Sequence, residues 1–152
     1  MSIAQTAAWG CQAAPPGKRT AEDVAREIFT RVSQARELLK EQDDQPLPAA
    51  WLSWRADCEA LAELGEFFGC EISCALTVKR AMLGVEKDGY DRAVDLARQA
   101  AVAFSRYAEQ MERRFFKQRL TRLNGRVADF FRMCEEAWRD VGNVMALMEP
   151  YR

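Results

Sequence analysis

From Thr20 onward, apolar residues recur at steps of three and four with charged residues between them, the period of helices buried along one side. The first run, Ala25, Ile28, Val32, Ala35 and Leu39, predicts a helix from Thr20 to about Gln42. Thr20 is placed to cap it, since its hydroxyl can accept from a first-turn amide while Glu22 and Asp23 sit at the positive end of the helix dipole. The breaker run Asp43-Asp44-Gln45-Pro46-Leu47-Pro48 ends the periodicity. No proline then intervenes from Ala49 to about Leu83, which predicts a rod roughly 50 Å long at 1.5 Å per residue.

Two apolar stripes run along this rod: Trp54, Cys58, Leu61, Gly65, Phe68 and Ile72, and beside them Leu64, Phe67, Cys74, Val78 and Ala81. A helix apolar over so wide an arc needs cover from two sides. After a turn at Gly84 to Gly89, a third helix is expected from about Tyr90 to Lys117. Its Tyr90, Val94, Ala97, Ala101, Phe104, Ala108, Met111 and Phe115 alternate between steps of four and three, a heptad seam. Ala93, Ala100 and Ala103 flank that seam and allow helix axes to approach closely. Arg119 to Arg126, containing Asn124-Gly125, reads as a loop. Val127, Phe130, Cys134, Ala137, Val141, Val144 and Met148 predict a last helix, stopped by Pro150. The expected fold is all-α, an antiparallel up-and-down bundle of four main helices with a long central helical hairpin, over residues 20–149. Residues 1–19 are expected to form a flexible N-terminal arm, because Ala14-Pro15-Pro16-Gly17 offers no periodic face; Trp9 is its one aromatic side chain.

Composition narrows the picture. A chain of 152 residues, 49% apolar and 30% charged, has the material for one packed domain and is too apolar for disorder. It contains no stretch of some 18 uncharged apolar residues to span a bilayer. The 22 basic and 23 acidic residues leave a net charge of −1, so no global field would hold the protein on nucleic acid or an anionic membrane. There is no histidine, which removes Ser-His-Asp and Cys-His nucleophiles, histidine phosphotransfer, H-E-x-x-H zinc sites and Glu-x-x-His di-iron ligands. Five cysteines, Cys11, Cys58, Cys70, Cys74 and Cys134, are odd in number and lack C-x-x-C spacing, which indicates neither a disulfide framework nor a zinc knuckle. Reduced thiols, and a stretch Met1 to Gly10 without the basic and apolar regions of an export signal, lead to the expectation of a cytoplasmic protein. No enzyme activity and no catalytic, cofactor-binding or metal-binding residue is expected.

Four side-chain groupings could nevertheless carry function. Glu59, Glu63 and Glu66 share one face of the rod and could hold a hard cation or supply an acid and a base; the preferred reading is a solvated stripe. The basic patch Arg113, Arg114, Lys117, Arg119, Arg122 and Arg126 surrounds Phe115 and Phe116, a mixture that could grip phosphates and stack a base. The rival, preferred explanation is internal: pairing the second and third helices about residues 84–89 sets Asp57 and Glu59 near Phe116 and Arg114, acids against bases. Cys70 and Cys74, one turn apart, could share a soft metal, but buried cysteine as a small hydrophobe is the commoner case. The adjacent rings Phe67-Phe68, Phe115-Phe116 and Phe130-Phe131 point about 100° apart on a helix, so both members cannot face one narrow seam. Four Trp, eight Phe and six Met exceed the needs of a minimal bundle. The leading expectation is therefore a non-enzymatic interaction module, self-associating or acting as adaptor or inhibitor of a larger protein, through Phe67, Phe115, Phe131 and Trp138. Nucleic acid is the disfavoured partner, and no membrane is expected.

The segment Asp57-Cys58-Glu59-Ala60-Leu61-Ala62-Glu63-Leu64-Gly65-Glu66-Phe67-Phe68, followed by Ile72, resembles a D-x-x-x-x-A-x-L-G-x-Y-Y-A-x-K-I pattern. That pattern belongs to C-terminal helical regions of large bacterial proteins akin to glycoside hydrolases. The likeness continues through Tyr90 to Tyr107, where the family has an alanine-rich helix, and through Leu120 to Val141, where Arg122-Leu123-Asn124-Gly125-Arg126-Val127 looks like its R-x-G-x-x-D-W turn. The family's lysine ahead of Ile72 is absent, its place taken by Glu71, and Phe130 stands for a tryptophan. The resemblance implies an all-helical accessory region of a carbohydrate-active enzyme and transfers no catalytic residue.

Overall fold

The first helix begins where Thr20 can cap it. Thr20 Oγ1 accepts from the Asp23 amide at 3.0 Å, and the Asp23 carboxylate accepts in return from the Thr20 amide at 3.0 Å, so two amides that the helix cannot use itself are satisfied reciprocally. The computed structural model describes residues 17–42, 48–115 and 129–152, the side chain of Phe115 excepted. Four helices form these segments: α1 (Ala21–Lys40), α2 (Ala49–Met82), α3 (Gly89–Phe115) and α4 (Phe130–Met148), the last running into a 3-10 turn, Glu149–Tyr151. No strand occurs among the described residues. The expected all-α bundle of four helices is what is found, with ends shifted by one to three residues. The largest shift is at α4, which starts at Phe130 rather than Val127, because the Asp129 carboxylate accepts from the Arg132 amide at 3.0 Å and makes Asp129 the cap. The expected arm (residues 1–16 of it, with Trp9 and Cys11) and the loop Arg119 to Arg126 lie outside the described residues.

Cross-helix contacts show that consecutive helices are antiparallel. Arg80 donates to Glu22 at 2.8 Å near one end of the α1–α2 pair, and Arg36 to Glu63 at 2.9 Å near the other. Along α2–α3, Cys74 Sγ donates to the Ala93 carbonyl at 3.4 Å and Arg114 donates to Asp57 at 2.6 Å. Along α3–α4, Trp138 Nε1 donates to Ser105 Oγ at 3.2 Å, and the Tyr107 ring meets Phe130 edge-on at 6.1 Å. Arg114 thus reaches Asp57 rather than Glu59, two residues from the register expected; Glu59 accepts instead from Arg55 on its own helix at 3.0 Å. Phe67 against Phe104 (centroids 5.0 Å apart) and Cys74 against Ala93 set this register by packing.

The core is built of small side chains. On α3, Ala93, Ala97, Ala100, Ala101, Ala103 and Ala108 are buried, and among the described residues Met148 and Cys70 are the largest side chains fully enclosed. One cluster joins α2, α3 and α4 through Cys74, Ala81, Ala93, Ala97, Ala101, Val141 and Met148. A second, aromatic cluster gathers Phe104, Ala108 and Phe130, with Phe67 and Tyr107 packed against them. Close approach also needs glycine: a Cβ on Gly69 would stand 2.8 Å from the Phe29 ring, one on Gly65 2.8 Å from Val32, and one on Gly89 2.7 Å from the Ala81 Cβ.

Gly142, in contrast, sits on α4 with open space where its Cβ would be. Gly142→Ala is therefore expected to stabilise the fold by about 0.5–1 kcal/mol through helix propensity alone. Gly69→Ala makes the same propensity gain but drives a methyl into Phe29, and is expected to lower the midpoint of thermal unfolding. Circular dichroism melts of the two variants beside the parent check the opposite signs.

Candidate interaction surface

Three of the four sides of α2 are occupied within the chain. Toward α1 it presents Ala62, Gly65 and Gly69, small enough for Val32 and Phe29 to lie against the backbone. Toward α3 it presents Phe67, Cys70 and Cys74, and at its N-terminal end Arg114 of α3 grips Asp57 and the Ser53 hydroxyl, the latter at 3.0 Å. Toward α4 it presents Cys74, Val78 and Ala81, which share a cluster with Val141 and Met148.

The fourth side carries Trp54, Leu61, Phe68, Ala75 and Met82, one every seven residues, while Cys58, Gly65 and Ile72 turn toward α1. Trp54 is 56% exposed, Leu61 63% and Phe68 49%. Along one edge of this stripe runs a groove of about 580 Å³ against α1, floored by Val32, Ala35, Ala62 and Gly65. It continues past Leu38 to Trp51 and Trp54, whose rings meet edge-on at 5.5 Å. Along the other edge, a groove of about 560 Å³ against α4 holds Ala75, Val78, Val144 and Leu147, with Glu71 and Asp140 at its rim. Of the two stripes read from the sequence, Phe67, Cys74, Val78 and Ala81 of one are packed, and in the other Trp54, Leu61 and Phe68 lie open while Gly65 and Ile72 turn toward α1.

The aromatic candidates separate accordingly. Phe67 packs against Phe104 and the aromatic cluster, which makes it part of the core and not a partner residue, while Phe68 beside it faces out. Phe130 is buried and Phe131 is 67% exposed, the same division of an adjacent pair. Phe131, Trp138 and Met145 recur every seven residues along α4 and form a second exposed apolar line on its α3 side, where Trp138 reaches Ser105. The side chain of Phe115 lies outside the described residues. The sequence signal that distinguishes Trp54, Leu61 and Phe68 is their recurrence at every seventh position.

The charged and thiol candidates are engaged internally. Glu63 and Glu66 are not a solvated stripe: their side chains are 14% and 25% exposed, and Arg36 of α1 pairs with both. Burial works against the Arg36 charge, but the hydrogen bonds and attraction of Glu66 and Glu63 outweigh it and hold its pKa above the ordinary value. Arg106 of α3 stands 3.8 Å from Glu63, so one carboxylate touches three helices. Among the described residues no three His, Cys, Asp or Glu side chains gather as metal ligands. Of the basic patch, Arg113 pairs with Glu109 along α3 at 2.5 Å and Arg114 with Asp57; Lys117, Arg119, Arg122 and Arg126 lie outside the described residues. Burial pushes the thiols of Cys70 and Cys74 up to about 11, with nearby acids adding to it, so both are held as neutral thiols, poor ligands and poor nucleophiles. No described helix is long and apolar enough to cross a membrane.

Comparisons with protein-family models, with curated proteins and with solved structures return no match. The likeness of the α2 wording to helical regions of glycoside-hydrolase-like proteins rests on those residues alone.

Glu71, half-buried at the rim of the α2–α4 groove, has its pKa raised by burial and by Asp140 across the groove. The folded state thus favours the protonated form, a contribution fully present below the unfolded-state value near 4.5 and lost as pH rises through the folded value. At neutral pH the ionised carboxylate costs stability. Glu71→Gln is expected to raise the unfolding midpoint at pH 7 by about 1–2 °C, and thermal melts between pH 7 and pH 4 should show that advantage shrinking as the parent protonates.

Proposed function

We propose that this chain is a non-enzymatic helical interaction module that docks through the open side of α2. The observation that carries the reading is the seven-residue recurrence of Trp54, Leu61 and Phe68, each about half exposed, on a rod whose other sides are already covered. Scattered single apolar residues are normal on a surface, but a continuous line of large ones between two apolar grooves is how a docking face is made. Tryptophan in such a line supplies a large rigid contact with little ordering cost. The line Phe131, Trp138 and Met145 on α4 is shorter and has Trp138 tied to Ser105, which makes it the lesser surface.

Charge placed on the seam tests this. Leu61→Glu with Phe68→Glu removes exposed apolar surface, so the fold is expected to keep its stability to within about 0.5 kcal/mol. Used as bait in native extract, the double variant should lose the protein that the parent retains, while a Phe131→Glu, Trp138→Glu variant should keep it. Equal retention by the parent and the α2 variant would overturn the assignment.

A further inference from the structure

Where α2 and α4 run side by side, two acids face each other and no cation joins them. Elsewhere in the bundle Glu63 and Glu66 meet Arg36, Glu22 meets Arg80 and Asp57 meets Arg114, each across a helix boundary. Glu71, half-buried, faces the Asp140 carboxylate instead. Burial and then that charge push its carboxyl above the ordinary value, and no base among the described residues offsets them. Asp140 accepts from the Asn143 side-chain amide at 3.0 Å, a neutral donor on its own helix. A cation set between the two carboxylates would cancel a repulsion that burial strengthens.

The groove that this pair overlooks supplies the rest of a site. Its volume of about 560 Å³ suits a small molecule, and Ala75, Val78, Val144 and Leu147 make its floor apolar. We infer that the groove binds a small organic ammonium, with the charged nitrogen between Glu71 and Asp140 and an apolar body along that floor. Lys79, eight residues beyond Glu71 on α2, stands about 12 Å further along the axis at the opposite end. Its charge repels an ammonium there, so the ligand lies one way round, nitrogen toward Asp140 and tail toward Leu147. The floor ends after about two turns of either helix, a length that a small molecule fills and a docked helix would overrun. A bare metal ion suits the residues less, because among the described residues no three ligating side chains gather. An apolar ligand without charge would leave the acids unmatched. The site borders the open side of α2 and does not depend on that side taking a partner.

Titration of the full chain with hexylammonium, followed by proton–nitrogen correlation NMR, should move the amide signals of Ala75, Val78, Asn143 and Val144 with a dissociation constant of about 1 mM. Hexanol, the same tail without the charge, should bind about 10-fold more weakly, and hexanoate should not bind. Glu71→Gln and Asp140→Asn should each weaken hexylammonium binding by about 10-fold. Glu41→Gln, which removes the same charge at the C-terminal end of α1, should leave it unchanged. Ala75→Leu should weaken hexylammonium and hexanol alike, because it fills the floor beneath the tail. Glu71→Gln is expected to stabilise the fold, so a loss of binding in that variant does not come from unfolding. No shift at about 20 mM hexylammonium, roughly twenty times the expected constant, overturns the inference. Equal affinity for hexanol, signals that move only outside the groove, or an affinity indifferent to both Glu71→Gln and Asp140→Asn overturns it as well.

Discussion

Everything in this bundle follows from how closely α2 and α3 lie together. Alanines at positions 93, 97, 100, 101 and 103 face a partner that offers Cys70, Cys74 and Ala81, and the hairpin closes with Gly89 against Ala81. Small side chains bring helix axes toward the short end of the usual 8–10 Å and make many backbone-level contacts. They also leave little volume between the helices, so few large side chains can be enclosed; among the described residues the two largest that are fully buried are a methionine and a cysteine. Phe67, Phe104, Tyr107 and Phe130 collect toward the end of the hairpin near Arg114, while Phe29 lies against Gly69 and Tyr90 against the cluster at the other end. Trp51, Trp54, Leu61, Phe68, Phe131 and Trp138 are left on the outside.

Polar contacts then fix which helix lies where. Arg36 bridges Glu63 and Glu66, Arg80 reaches Glu22 and Arg114 reaches Asp57, and each pair joins two different helices. Exposed ion pairs contribute only about 0–1 kcal/mol each, so these decide alignment more than stability. Arg36 is the exception in degree, since its carboxylate partners are partly buried and removing it would leave both acids without that cation. That dependence makes α1 a committed part of the fold and leaves the open side of α2 bounded on one edge by a fixed wall.

The helices were legible because their signals are local. Steps of three and four, the Thr20 capping box and the break at Asp43 to Pro48 each act within a few residues, and they place α1 to α3 within two residues of their observed described ends. Asp129 was less legible, since a single acid before a phenylalanine pair competes with Val127, which fits the apolar period equally well. The division of the adjacent rings followed from helix geometry, but which member turns inward did not: Phe67 and Phe68 both fit a stripe, and only the register against Phe104 decides. The role of Glu63 and Glu66 was hidden for a similar reason. A face of three acids looks solvated until a second helix brings Arg36 across it, and that pairing joins residues 27 and 30 positions apart.

The contrast between α2 and α3 supports the docking face proposed for α2. Both are long helices of one hairpin, and both have an outer side free of the chain's own core. On α3 that side carries Asp91, Asp95, Arg98, Arg106, Glu109 and Arg113, with Val102 the one aliphatic side chain among them. On α2 the equivalent side carries Trp54, Leu61 and Phe68. Helix propensity does not demand the difference, because charged residues form helices as well as leucine and better than phenylalanine or tryptophan. Solubility favours the α3 solution on both. The apolar line on α2 is therefore a feature that the isolated fold does not need, which is the condition a binding face has to meet.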